Sequence, residues 1–155
     1  MNLTRIVASA MVFSCACAFA TGSGEVVQQG TSTKLVDAYA CQQPDHFDKS
    51  KMLTSVMISS KAIDAAKASS NCAQLRTLLG KYVELDFAPD KSLDTIGIYD
   101  GDVGFSTGAT DTLTLTRYDD KRIEGTYRTK DQTKKNSEGA YFDLTFAVDA
   151  PAAKH

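Results

Sequence analysis

Residues Thr112 to Arg128 read TLTLTRYDDKRIEGTYR, and they predict the most clearly defined structure in the chain. In the first half leucines alternate with threonines, and in the second half Ile123, Gly125 and Tyr127 alternate with polar residues. Alternation with a period of two is typical of half-buried β-strands. Thr, Ile and Tyr also suit a pleated surface. The stretch therefore predicts a β-hairpin.

The register of this hairpin follows from the requirement that the apolar faces of its two strands agree. Pairing Leu115 with Gly125 and Leu113 with Tyr127 meets that requirement, whereas a slip of one residue turns every side chain to the other face. On the opposite face, the same register pairs Thr114 with Thr126 and Thr116 with Glu124. It leaves residues 119–121 as a three-residue turn, for which a bulge is expected.

Alternating apolar residues and intervening turn residues predict about seven strands in all. Besides the hairpin, the expected strands are 34–41, 52–60, 82–88, 93–99 and 141–148. In 82–88 the alternation predicts that Val83, Leu85 and Phe87 face inward and that Tyr82, Glu84 and Asp86 face outward, and in 141–148 the residues that share one apolar face are Phe142, Leu144, Phe146 and Val148. Residues 61–80 are rich in Ala, with leucines at helical spacing, and predict one helix or two short ones. Asp64 or Ser70/Asn71 would cap the helix start, and Gly80 would end it.

This order of elements favours an all-β, mainly antiparallel fold with one helical insertion. The alternatives are a sandwich and a partly closed barrel, because both are built from short strands at regular spacing. Residues 100–109, DGDVGFSTGA, are expected to form a Gly-rich loop, and residues 130–139 a long polar loop.

The N-terminal residues predict export. Arg5 is followed by an apolar run and then by Ala18-Phe19-Ala20, which has small residues at the positions expected for signal-peptide cleavage. The expected organisation is a signal peptide at 1–20, a flexible lead-in at 21–33, a single β-rich domain at 34–150 and a tail at 151–155. Cleavage after Ala20 would give a periplasmic or secreted protein. No later segment is apolar enough to predict a transmembrane helix.

Cys15 and Cys17 allow a second interpretation of this N-terminus. A lipoprotein would keep one of them as an acylated first residue, and the chain would then be anchored to a membrane. The residues before both cysteines lack the usual Leu three positions upstream, so cleavage after Ala20 is favoured.

Cys41 and Cys72 are the two cysteines that remain after cleavage at Ala20. An even pair in an exported chain predicts one disulfide bond. Neither cysteine belongs to a CxxC motif or has a histidine close in sequence, which disfavours redox catalysis and metal binding.

The charge balance disfavours nucleic-acid binding. The chain carries a net charge of −2, and loss of Arg5 with the signal peptide leaves sixteen basic and nineteen acidic residues. Binding to nucleic acid requires a strong basic footprint, which this composition does not provide.

Residues with catalytic or metal-binding chemistry are few. His46 lies between Asp45 and Asp48 and could act as a base or a ligand, but a solvated loop histidine is favoured. The carboxylates around the Gly-rich loop could hold calcium, but turn formation explains them better; they are Asp94, Asp100, Asp102 and Asp111. The sequence predicts no cofactor and no metal site, and it contains no nucleophile elbow, zinc motif or P-loop.

The outward face of the hairpin is a candidate interaction surface, because aromatic and Arg side chains are enriched at interfaces. Its expected members are Thr114, Thr116, Tyr118, Arg122, Glu124, Thr126 and Arg128, with Lys130, Lys134 and Lys135 beyond them. No motif is specific enough to assign a family. The sequence favours a small exported domain that binds a protein or envelope component, of the inhibitor, immunity or accessory type. The alternatives are a carboxylate-dependent hydrolase and a lipid-anchored structural protein.

Overall fold

The structure is a computed structural model that describes residues 20–45, 47–64, 71–101, 103–108, 111–131 and 139–152. These residues form ten strands and one short helix. The strands are β1 (Thr21–Gln28), β2 (Thr31–Leu35), β3 (Asp37–Pro44), β4 (Met52–Ser59), β5 (Tyr82–Phe87), β6 (Leu93–Asp100), β7 (Val103–Gly108), β8 (Thr112–Tyr118), β9 (Arg122–Arg128) and β10 (Ala140–Asp149), and the helix is α1 (Cys72–Arg76).

The strands form two antiparallel five-stranded sheets packed as a sandwich. Sheet A has the order β2-β1-β10-β9-β8, and sheet B has the order β3-β4-β5-β6-β7. The prediction of an all-β, mainly antiparallel fold is therefore confirmed. Of the two predicted alternatives, the structure is the sandwich. Sheet B is a simple meander, whereas sheet A places the first strand of the domain beside the last.

The expected flexible lead-in is wrong, because residues 21–28 form a central strand. β1 pairs with β10 over eight residues and with β2 on its other side. Two glycines permit this position. A Cβ on Gly22 would lie 2.4 Å from the Cβ of Ala38 on β3, and one on Gly24 would lie 2.0 Å from the Asp143 carbonyl oxygen. The Gly-rich composition that indicated flexibility instead allows close backbone approach.

Together with β1, two further differences raise the strand number from seven to ten. The single strand expected at 34–41 is interrupted at Val36, where the chain passes from β2 in sheet A to β3 in sheet B. The Gly-rich loop expected at 100–109 contains β7, which pairs with β6 through six consecutive residue pairs.

The hairpin register is confirmed from Thr112 to Leu115. Leu113 lies opposite Tyr127 and Leu115 opposite Gly125, as the apolar faces required. The predicted pair of Thr116 with Glu124 is wrong. A bulge at Thr116 shifts the register, so that Arg117 lies opposite Glu124 and Tyr118 opposite Ile123. The expected bulge therefore lies inside the strand, and the connection remains residues 119–121.

The main core lies between the two sheets and is built from the alternate residues of their facing sides. Val83, Leu85 and Phe87 of β5 point inward as predicted. The inward residues of β10 were also predicted correctly; they are Phe142, Leu144, Phe146 and Val148. Tyr127 and Phe142 meet edge to face with their ring centroids 5.4 Å apart, a favourable aromatic geometry.

A second, smaller core lies on the opposite face of sheet B, beneath α1. It contains Cys41, Met57, Cys72, Leu75 and Tyr82, all buried. Asn71 is the N-cap of this helix, because its side chain accepts hydrogen bonds from the backbone N–H groups of Ala73 and Gln74. The helix ends at Arg76, short of Gly80. Within the described ranges, no helix has the length and apolar character needed to cross a bilayer.

The predicted disulfide joins Cys41 and Cys72 and fastens α1 to β3. Asn71 also forms an isolated parallel bridge with Gln42, next to the disulfide. The crosslink therefore holds a five-residue helix, which is too short to be stable by itself, against the outer face of sheet B.

Removing this disulfide should destabilise the domain, because a crosslink across 31 residues restricts the unfolded chain by ~3–4 kcal/mol. We expect Cys41→Ser, Cys72→Ser and the double variant to lose the same free energy of unfolding in urea titrations. Losses that add between the single variants would contradict the crosslink.

Candidate functional site

The most distinctive surface of this molecule is the free edge of sheet B at β7. An edge strand presents unpaired backbone N–H and C=O groups, and proteins usually block such edges with short strands, charges, proline, bulges or covering segments. The two sheets have four edge strands, which are β2, β3, β7 and β8. The differences among these four indicate where another chain could dock.

Three of the edges carry a blocking feature. β2 is five residues long and includes Lys34. β3 is bridged by Asn71 and ends at Pro44. β8 is bulged at Thr116, which is followed by the exposed Arg117. Each of these features opposes the addition of a further strand.

Among the residues that the structure describes, none of these features is found at the β7 edge, Val103–Gly108. Its pairing with β6 continues without a bulge, and its sequence VGFSTG contains no charge and no proline. Val103 is 76% exposed and Phe105 is 49% exposed. A regular edge with exposed apolar side chains is a template for pairing with another chain.

Tyr99 packs across the outer faces of β6 and β7 and holds the two strands together. Its ring lies over Gly97 of β6 and Gly104 of β7, where an added Cβ would come within 2.4–2.5 Å of ring atoms. The ring also stacks on Tyr82 with centroids 5.2 Å apart. The outer face of β7 is thus fastened to β6, while Phe105 lies opposite the inward residue Ile98 at the margin of the sandwich.

A second candidate is the buried polar network on the outer face of sheet B. The alternation in β5 predicted Glu84 and Asp86 to point away from the core, and they do, but α1 and the flanking strands leave them only 1% and 5% exposed. Gln43 places its amide nitrogen 3.1 Å from a carboxylate oxygen of each. Ser55 donates to Asp86 at 2.5 Å, and Thr95 donates to its other oxygen at 2.9 Å.

Arg76 of α1 completes this network. Its guanidinium donates to both carboxylate oxygens of Glu84 and, at 2.7 Å, to the side-chain oxygen of Gln43. Burial raises the pKa of Glu84, and the hydrogen bond from Arg76 opposes that rise. Burial, with the charge of Glu84, raises the pKa of Tyr82 to about 12, so its hydroxyl stays protonated. The network satisfies its own carboxylates and fastens the helix to the sheet.

An open groove lies between α1 and the β5–β6 side of sheet B. Its lining includes Arg76, Leu79, Tyr82 and Tyr99. The guanidinium that reaches the groove is already held by Glu84 and Gln43. The groove is therefore lined by two aromatic rings and by an Arg76 guanidinium whose charge is neutralised by Glu84. Glu84 and Asp86 are buried and do not line it.

The predicted hairpin surface is only partly assembled. Thr114, Thr116 and Arg128 are exposed, and Glu124 and Thr126 are half-buried on the outer face of sheet A. Tyr118 was placed on this face wrongly. The bulge at Thr116 turns it inward, where its ring meets Phe87 edge to face at 5.5 Å.

Arg122, another predicted member of that surface, is held by its neighbours. Its side chain is 14% exposed and pairs with Glu124 at 2.8 Å and Asp149 at 2.9 Å. Arg128 pairs with Asp143 at 2.9 Å. The hairpin face is thus a solvated sheet face whose described arginines are paired.

The carboxylates predicted around the Gly-rich loop are dispersed. Asp94 and Asp100 lie at opposite ends of β6, about 20 Å apart at ~3.3 Å per residue. Asp111 accepts a hydrogen bond from Thr129 at 2.8 Å. In the described ranges, no three His, Cys, Asp or Glu residues are grouped to hold a metal ion.

Several predicted residues lie outside the described part of the chain. They are His46, Asp102, Lys134, Lys135 and the segment 1–19 with Cys15 and Cys17. The calcium, histidine and lipid-anchor hypotheses remain predictions at these positions.

Val103 and Phe105 were not predicted as site residues, because the three glycines near them favoured a loop. The available signal was the alternation in VGFS, where Val103 and Phe105 are separated by Gly104. Position 104 requires glycine because the ring of Tyr99 lies over it, and this contact is visible only in the folded structure.

Comparisons of this chain with protein-family models, with curated proteins and with solved structures found no match.

The polar network predicts a pH-dependent cost for losing Arg76. Arg76→Met should leave Glu84 buried without its cation, at a cost of about 3–5 kcal/mol near neutral pH. The pKa of Glu84 should rise further, so the native state would bind a proton that the unfolded chain releases. The stability of the variant should therefore fall as pH rises above the ordinary value of 4.5, measured by urea unfolding.

Arg128→Met is the matched control, because Arg128 and Asp143 are 60% and 52% exposed. Such a surface pair contributes about 1 kcal/mol or less. Equal losses for the two variants, or a loss at Arg76 that does not change with pH, would contradict the network's role.

Proposed function

We propose that this protein is a small exported domain that binds another protein of the cell envelope through its β7 edge and performs no catalysis. Its action would be that of an inhibitor, an immunity protein or an accessory protein. The observation that carries the proposal is the regular, uncharged edge of β7 with Val103 and Phe105 exposed. Strand addition to such an edge gives affinity through main-chain hydrogen bonds and specificity through alternate side chains.

The blocking features on the other three edges support this choice. Edge-to-edge aggregation is a hazard that natural β-proteins avoid at a cost to their sheets. Here β2, β3 and β8 each carry such a feature, and β7 does not. Because the other edges are blocked, the unblocked edge at β7 supports a role in binding another chain.

The geometry of the carboxylates favours binding over a hydrolytic site. A carboxylate-dependent hydrolase needs two acids that reach a substrate in a cleft. Glu84 and Asp86 are adjacent, but they are buried and satisfied by Gln43, Ser55 and Arg76. The exposed Asp94 and Asp100 lie at opposite ends of their strand.

The disulfide supports the exported location. Disulfide bonds persist in oxidising compartments and are rare in the cytosol, and the Cys41–Cys72 bond joins β3 to α1. Together with the sequence of residues 1–20, it favours a periplasmic or secreted domain. The lipid-anchored alternative would change where the partner is met, because the domain would stay at a membrane surface.

Site-specific photocrosslinking in the native cells tests this proposal. A benzoylphenylalanine in place of Val103 should give a defined adduct with one envelope protein, because the side chain lies on the docking edge. The adduct should be lost when Phe105→Lys is added, since a buried lysine opposes strand addition. Mass spectrometry of the adduct identifies the partner.

Two controls make this test specific. The same crosslinker in place of Phe47, which is fully exposed away from β7, should give no such adduct. A second control at Thr33 samples the edge of β2. The absence of an adduct at position 103, or equal adducts at all three positions, would contradict docking at β7.

A further inference from the structure

We infer that the β7 edge takes an extended strand whose Lys or Arg residues flank a short apolar centre. This inference rests on the proposed function and specifies the chemistry of the partner. The β7 margin is defined here as Val103 and Phe105 together with Asp94 and Asp100 at the two ends of the neighbouring strand β6.

The charge of this margin is uniform. Residues 92–116, which contain β6, β7 and most of β8, include four Asp and no Lys, Arg, His or Glu. Asp94 and Asp100 are both exposed. An added strand would lie about two strand spacings, ~10 Å, from β6. A long basic side chain can span much of that distance.

The positions of the two carboxylates define the spacing in the partner. Asp100 lies opposite Val103 at one end of β7, and Asp94 lies just beyond the Thr95–Gly108 pair at the other end. They are separated by six residues of strand, or about 20 Å. Two basic residues six positions apart in an extended strand have the same separation. The one in register with Asp100 would lie opposite Val103, and an apolar residue between the two would lie opposite Phe105.

The same charges oppose docking of a second copy of this chain. Antiparallel pairing of two β7 strands would bring the Asp94 end of one copy to the Asp100 end of the other. Like charges across an interface cost free energy and suppress the wrong partner. An acidic margin around an apolar edge therefore selects a basic partner over self-association.

A pair of seven-residue peptides tests this inference on the oxidised, mature protein. The probe is acetyl-KTVTVTK-amide, and its control is acetyl-ETVTVTE-amide, which has the same length and strand preference. We expect the Lys peptide to shift the backbone amide resonances of β7 and to bind at least ~10-fold more tightly than the Glu peptide at low salt. Added salt should reduce the difference.

Charge reversal supplies the matched variants. Asp94→Lys with Asp100→Lys should reverse the preference between the two peptides. Asp143→Lys with Asp149→Lys changes the net charge equally on β10, where both carboxylates are exposed, and should leave the preference unchanged.

The outcomes separate a failure of the inferred basic partner from a failure of the proposed docking at β7. Equal shifts of β7 by both peptides would overturn the basic partner and leave edge docking intact. Shifts by neither peptide, or shifts only outside β7, would overturn both. If sedimentation shows a dimer and the β7 resonances depend on protein concentration, the occupant is a second copy, and the inference is wrong.

Discussion

The pairing of β1 with β10 is the constraint on which the sandwich depends. It joins the first eight residues of the domain to its last strand and makes β1 a central strand of sheet A. It requires glycine at two positions, because a Cβ at Gly24 would overlap the Asp143 carbonyl and one at Gly22 would overlap Ala38. Without this pairing, β1 and β2 would be detached from the rest of sheet A, and β3 would lose the residues of β1 that it contacts.

Sheet B is stabilised in a different way. Its outer face would be polar and wet in an ordinary sandwich. Here α1 covers one end of that face through the Cys41–Cys72 bond and the contacts of Arg76 with Glu84 and Gln43. The crosslink restricts the chain, while the network fixes the orientation of the helix. A buried network of this kind stabilises only when every member is satisfied, which explains why so short a helix is accompanied by so many polar partners.

The proposed site follows from this asymmetry between the two ends of sheet B. The β3 end is covered by Asn71, the disulfide and α1, whereas no other part of the described chain pairs with the free side of β7, where Val103 and Phe105 are exposed. The ring of Tyr99 lies over Gly97 and Gly104, and β7 pairs with β6 without a bulge. In the described part of the chain, sheet B is thus crosslinked to α1 at its β3 end and exposes apolar side chains at its β7 end.

Local sequence pattern was enough to predict several parts of this structure. Alternation predicted the inward faces of β5 and β10 and the register of Leu113 with Tyr127, because the side-chain period of a strand is fixed. The cysteine count predicted the disulfide. The position of Asn71 before the helix was also visible as one of two cap alternatives.

Other features depend on contacts between residues that are distant in sequence, and these could not be predicted from local pattern. The glycines of β1 and β7 predicted loops. In the structure they allow the close approach of Asp143 to Gly24 and of Tyr99 to Gly104. Glu84 and Asp86 read as outward carboxylates, since α1 covers them only after the chain has folded. Tyr118 turns inward because the bulge at Thr116 changes the face of every residue beyond it. Local pattern fixes which side a residue faces, but the packing of other elements determines whether that side is solvent, core or a free edge.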